Sequence, residues 1–110
     1  MKFNFIYFLF FILSSCVYNE ITLDNNIDCR TNETPSFQNC IKPLINVHCI
    51  GCHSVTSNSG SLDGYDAVKN MVLNKNLIGR IQLDMPPNGL MAEEDINIFI
   101  KWVNNGSLDN

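Results

Sequence analysis

Cys49-Ile50-Gly51-Cys52-His53 brings two thiols and an imidazole into five consecutive residues. C-x-x-C-H is the spacing of covalent haem attachment, in which two thioethers hold the porphyrin and the histidine that follows ligates its iron. On a helical turn, positions three and four residues apart share a face. Cys49 and Cys52 can therefore reach one porphyrin edge while His53 points at the metal as proximal ligand. The expected cofactor is one haem c per chain, since no second C-x-x-C-H occurs.

The same spacing also serves a dithiol redox centre, or half of a zinc site with Cys29 and Cys40 as two further thiolates. A dithiol centre wants a βαβ context, which the sequence lacks. A four-cysteine zinc site more often joins two close-spaced couples than one couple and two scattered cysteines. A zinc-stabilised structural lipoprotein module stays open as an alternative. So does a five-coordinate haem domain of sensor or peroxidase-like type.

The first sixteen residues direct the chain out of the cytoplasm. Lys2 supplies a positive n-region, and Phe5 to Leu13 form an unbroken apolar run, too short to span a bilayer but suited to a secretory leader. Leu13-Ser14-Ser15-Cys16 resembles the bacterial lipobox, in which cleavage before the cysteine is followed by acylation of its new N-terminus. Each buried methylene of such chains adds about 0.8 kcal/mol, and more than one chain is needed for stable anchoring. The expectation is a signal peptide over 1–15, a lipid anchor at Cys16, a flexible tether over 16–35 and a compact domain over 36–110. The product is an exported cell-envelope lipoprotein facing the periplasm or the cell surface. With Cys16 given to lipid and Cys49 and Cys52 to haem, Cys29 and Cys40 remain, either as a disulfide in a permissive compartment or as two unpaired thiols.

Removal of residues 1–15 takes away Lys2 alone among the charges, leaving six basic and eleven acidic residues. That acidic balance argues against nucleic acid and anionic surfaces as partners, and is compatible with a redox partner protein carrying a basic docking face. Five of the seven phenylalanines lie in the leader, so the whole-chain hydrophobic content overstates what the domain can bury. The domain is near the lower size limit for a self-sufficient core.

The positioning elements follow from periodicity. Phe37, Ile41, Leu44 and Ile45 are spaced as a helix face, and Pro43 fits best near a first turn, which predicts an N-cap at Asn39 and a helix running into Cys49. Ser54 to Gly64 reads as loop. A helix is predicted over Tyr65 to Leu73 with Tyr65, Val68 and Val72 on one side, and a short one over Leu77 to Leu83. The last helix is predicted over Ala92 to Asn105, with Ile96, Phe99, Ile100 and Val103 as its stripe, Glu93-Glu94-Asp95 at the positive end of its dipole, and Gly106 at C′.

In order along the chain, Ile41-Lys42-Pro43-Leu44-Ile45, the C-x-x-C-H motif, Leu62-Asp63-Gly64-Tyr65, Met85-Pro86-Pro87-Asn88-Gly89 and Trp102-Val103-Asn104-Asn105-Gly106 resemble a class I c-type cytochrome domain. The likeness covers 36–107 and is nearest to the small haem-c domains of bacterial envelope lipoproteins. It implies an all-α, class I cytochrome c-like fold of three to four helices around covalently bound haem. It also implies a function without substrate turnover, the transfer of single electrons. The methionine of Met-Pro-Pro is the distal iron ligand in that family, which carries over to Met85. A thioether is a soft neutral donor that favours reduced iron, and the prolines after it stiffen the strap that carries it.

Met91 is the competing thioether, and stands where the family has a Ser or Thr cap, leaving Asn88 or Gly89 to cap the last helix. Met71 falls in a helical stripe and reads as core. His48 precedes the motif and could compete for iron, although a solvent-facing histidine beside a helix turn is the commoner case, and it is left unassigned. Arg80 is a candidate partner for a haem propionate, Tyr65 for the haem edge, and Trp102 for either the haem rim or a helix contact.

Overall fold

The computed structural model describes residues 28–110. The expected signal peptide, the lipid anchor at Cys16 and the tether up to residue 27 lie outside the described residues. Among those described, all regular structure is helical, with no strand, and no helix is long and apolar enough to cross a membrane. A π-helical segment, Phe37–Ile41, leads directly into α1, Lys42–His48; α2 is Tyr65–Asn74, α3 is Leu77–Leu83 and α4 is Glu93–Asn104.

The helical entry starts earlier than an Asn39 cap predicts. Ser36 is the N-cap, its backbone extended and its hydroxyl accepting from the Asn39 N–H at 3.1 Å. Asn110 supplies the other acceptors: its side-chain oxygen takes the Phe37 N–H at 3.0 Å and its main-chain oxygen the Gln38 N–H at 2.9 Å. The orphan donors of a helix start are thus satisfied by residues distant in sequence. Pro43 is accommodated because the preceding turn is wide: the Lys42 N–H reaches back five residues to the Phe37 carbonyl, and proline has no N–H of its own to place.

Trp102 lies at the centre of the core, 1 % exposed, with its ring centroid 5.7 Å from Phe37 and 6.5 Å from Tyr65. Phe37 and Tyr65 meet edge-on at 5.3 Å. Trp102 Nε1 donates to the Leu108 carbonyl at 3.0 Å, so the burial of this ring leaves no polar atom unpaired. The buried face of α4 is Ile98, Phe99 and Trp102, with Ile96, Ile100 and Val103 only half-buried. This corrects the stripe read from sequence. Apolar residues cover more than half the circumference of α4, so periodicity admits two faces, and packing on both the Phe37–Ile41 segment and α3 selects the one that buries tryptophan.

Gly106, at φ +96°, ends α4 as predicted. The Gly106 N–H donates to Val103 and the Ser107 N–H to Trp102, both at 3.0 Å, a Schellman closure that needs the left-handed residue glycine supplies. At the other end neither Asn88 nor Gly89 caps α4. Its N-cap is Ala92, with extended backbone and no side-chain acceptor, and the charges of Glu93, Glu94 and Asp95 stand in the first turn instead.

Residues 28–35, read from composition as the end of a tether, are held against the helices. Cys29 and Cys40 form a disulfide with Cα atoms 5.6 Å apart. Lys101 donates to Glu33 at 3.0 Å and to the Arg30 and Asn32 carbonyls, Asn105 donates to the Glu33 carbonyl at 2.8 Å, and Arg30 pairs with Asp95 at 3.5 Å.

Two substitutions test these features. Ala92→Ser supplies the missing cap acceptor and is expected to stabilise the domain by about 1 kcal/mol, read as a higher urea midpoint with unchanged slope. Replacing Cys29 and Cys40 together by Ser is expected to cost about 2–3 kcal/mol, the loop-entropy value for so short a span, in the same measurement.

Candidate functional site

α1 ends at His48 with Cys49 as its C-cap, so the helix reaches the motif as predicted and stops at its first residue. The Ile50 N–H bonds the Ile45 carbonyl, and Gly51, a poor helix former, follows. The motif then closes its own turn: the Cys52 N–H donates to the Cys49 carbonyl at 3.1 Å and the His53 N–H to the same oxygen at 2.8 Å. Both cysteines are unbridged, Cys49 half-buried and Cys52 exposed. Burial pushes the Cys49 thiol up from its ordinary range. A dithiol redox centre uses the opposite, a depressed and partly ionised thiolate.

His53 is held at two points by the loop that returns to α2. Its carbonyl accepts from the Leu62 N–H at 2.8 Å, and its ring Nδ1 lies 2.8 Å from the Gly60 carbonyl. A carbonyl only accepts, so Nδ1 is the donor, and in the neutral ring that tautomer leaves the lone pair on Nε2 for a ligand. Gly60 adopts φ +96°, a conformation open to glycine, and a Cβ there would run into the Met71 methyl.

Cys49, Cys52 and His53 open onto a cavity of about 770 Å³. α3 and the strap that follows it also contribute to the lining, with Ile81, Met85 and Met91 among its residues. That volume falls in the roughly 300–1,000 Å³ range of small-molecule and cofactor sites. Met85 is half-buried, its N–H tied to the Arg80 carbonyl at 2.9 Å. Met91 is 6 % exposed and belongs to the core as well as to the cavity wall. Met71, expected as core, is half-buried and also lines the cavity, as do Lys75 and a half-buried His48.

The remaining candidates separate. Arg80 is at the cavity, where its guanidinium pairs with Asp84 one turn on at 2.8 Å. Tyr65 and Trp102 are not among the residues that line it. Tyr65 belongs to the aromatic core: its hydroxyl donates to the Ser107 carbonyl at 2.8 Å and accepts from Lys69 Nζ at 2.9 Å. Trp102 makes the helix contact already described. Cys29 and Cys40 are bonded to each other, which removes them as thiolates for a zinc site. Among the described residues no group of three or more His, Cys, Asp or Glu is placed to hold a metal ion.

Sequence reasoning missed Gly60. It stands in a run of Ser, Asn and Gly that announces a loop, but no local signal tells which loop carbonyl faces the imidazole. Chemically, two thiols, an imidazole, the thioethers of Met71, Met85 and Met91 and the cationic side chains of Lys75 and Arg80 line the same cavity. In its donor types this set fits a flat apolar group joined through sulfur, bound by imidazole and thioether and carrying anionic substituents.

Tyr65→Phe is expected to cost about 1 kcal/mol in urea unfolding by orphaning the Ser107 carbonyl, with the lining of the cavity intact. No protein-family model, curated protein or solved structure matches this chain.

Proposed function

We propose that this chain is a membrane-anchored monohaem c-type cytochrome that transfers single electrons, with Cys49 and Cys52 as the covalent attachments, His53 as proximal ligand and Met85 as distal ligand. The convergence of Cys49, Cys52, His53 and Met85 on a single cavity carries this reading, because Met85 is remote in sequence from the motif and comes from a different element, the strap after α3. A class I cytochrome c-like domain is the finer fold assignment that goes with it. The bound haem supplies an iron that cycles between two oxidation states.

The chain's own residues have distinct tasks. The Gly60 carbonyl fixes the tautomer of His53 and raises the basicity of its Nε2. The Met85 thioether, a soft neutral donor, favours the reduced metal relative to a second imidazole. Pro86 and Pro87 limit the freedom of the strap that carries it. Were His53 and Met85 both to hold the iron, no coordination site would be left for a small molecule, which sets electron transfer above oxygen or peroxide chemistry. Export, lipidation at Cys16 and a redox partner protein in the cell envelope belong to the same proposal.

Full-length protein made in a host with cytochrome-maturation machinery is expected to carry one covalently bound haem by mass and to give a pyridine haemochrome spectrum. Met85→Ala is expected to abolish the sulfur-to-iron charge-transfer band, and Met91→Ala to retain it. A mature mass equal to polypeptide plus fatty acids sinks the proposal. Rapid carbon monoxide uptake by the reduced wild type at neutral pH transfers it to a five-coordinate sensor or peroxidase-like domain.

A further inference from the structure

The loop from Ser54 to Ser61 is stitched mainly to itself. The Ser57 N–H bonds the Ser54 carbonyl at 3.0 Å, the Ser59 N–H the Ser57 hydroxyl at 3.1 Å and the Gly60 N–H the Ser57 carbonyl at 3.3 Å. Such turns define the loop's shape but do not fix where it sits relative to the motif. Its outlet is closed by the bond from the Leu62 N–H to the His53 carbonyl. On the side where a Cβ of residue 60 would project, the atoms within 4 Å are the methyl and sulfur of Met71, half-buried on α2.

We infer that Met71 is a positioning residue for His53: its methyl, seated on Gly60, holds in place the carbonyl that receives the imidazole proton. A flexible thioether suits this task, since it can settle against bare backbone at a glycine. The chain of contact runs from α2 through Met71 and Gly60 to the ring of His53, so the seat for the Met71 methyl is a reason for glycine at 60 besides its φ of +96°. The hydrogen-bond part stands on this geometry alone. The consequence at the metal rests on the proposed haem function, where a weaker bond at Nδ1 makes Nε2 a poorer donor to oxidised iron and raises the reduction potential.

The test uses full-length protein from the maturation host, labelled with ¹⁵N at histidine and studied in the reduced state. Met71→Ala is expected to make the His53 Nδ1–H exchange with solvent several-fold faster and to shift the reduction potential upward, whereas Met71→Leu, which keeps most of the bulk, stays near wild type in both. In Gly60→Ala the new methyl displaces Met71, and that loss of protection is expected to be partly relieved in the Gly60→Ala, Met71→Ala double variant. Unchanged Nδ1–H exchange in Met71→Ala with native helix content, or strictly additive effects in the double variant, overturns the assignment. Because the bond is read on the imidazole itself, this result is separate from the mass measurement that decides whether haem is attached.

Discussion

Burial of the Trp102 ring between Phe37 and Tyr65 is the contact on which the rest of the arrangement depends. It joins α4, the segment entering α1 and the start of α2 at one point, and its indole N–H ties in the chain beyond Gly106 through the Leu108 carbonyl. The same turn carries Ser107, whose carbonyl receives the Tyr65 hydroxyl. Replacing so large a ring in a close-packed centre by a small one costs about 3–5 kcal/mol in proteins generally, a large share of the stability of a domain this size.

From that centre the lining of the cavity is set. The Phe37–Ile41 segment and α1 deliver Cys49, Cys52 and His53 at the end of a helix anchored by Ile41 and Ile45. α3 packs on both α2 and α4, buries Leu77 and Ile81, and delivers Met85 immediately after its last turn. The disulfide and the Lys101 contacts then hold residues 28–35 on the outside of this frame, close to the segment that leads to the motif. Cavity geometry is thus inherited from helix packing, with only the loop to Ser61 and the methionine strap left to local turns.

What could be read from the sequence was whatever is encoded within a few residues. α3 falls on its predicted bounds, α2 and α4 within a residue of theirs, and Gly106 ends α4, because apolar spacing and a left-handed glycine are local signals. The motif wall of the site was legible for the same reason, since its residues are consecutive. What escaped depends on which remote atom arrives. Ser36 rather than Asn39 caps the entry because Asn110 takes the two donors before it. Trp102 faces inward because two elements meet α4 there, and the Gly60 carbonyl meets His53 because of how a whole loop closes.

Leu62, Leu77, Ile81 and Met91 belong both to the buried core and to the cavity wall. A side chain in that position packs on the core with one side and presents the other to the cavity, where an apolar group would add dispersion contacts. Only a dozen apolar side chains are buried among the described residues, so this shared wall is a substantial part of the core. An apolar occupant of the cavity therefore completes packing as well as serving chemistry, and a group that binds only the folded chain adds its binding free energy to folding. Attachment through Cys49 and Cys52 would make that contribution permanent, since a covalently held occupant cannot dissociate when the helices loosen. Under the proposed attachment the two thiols and the small core would serve one end, holding an apolar group against a wall that the core itself supplies.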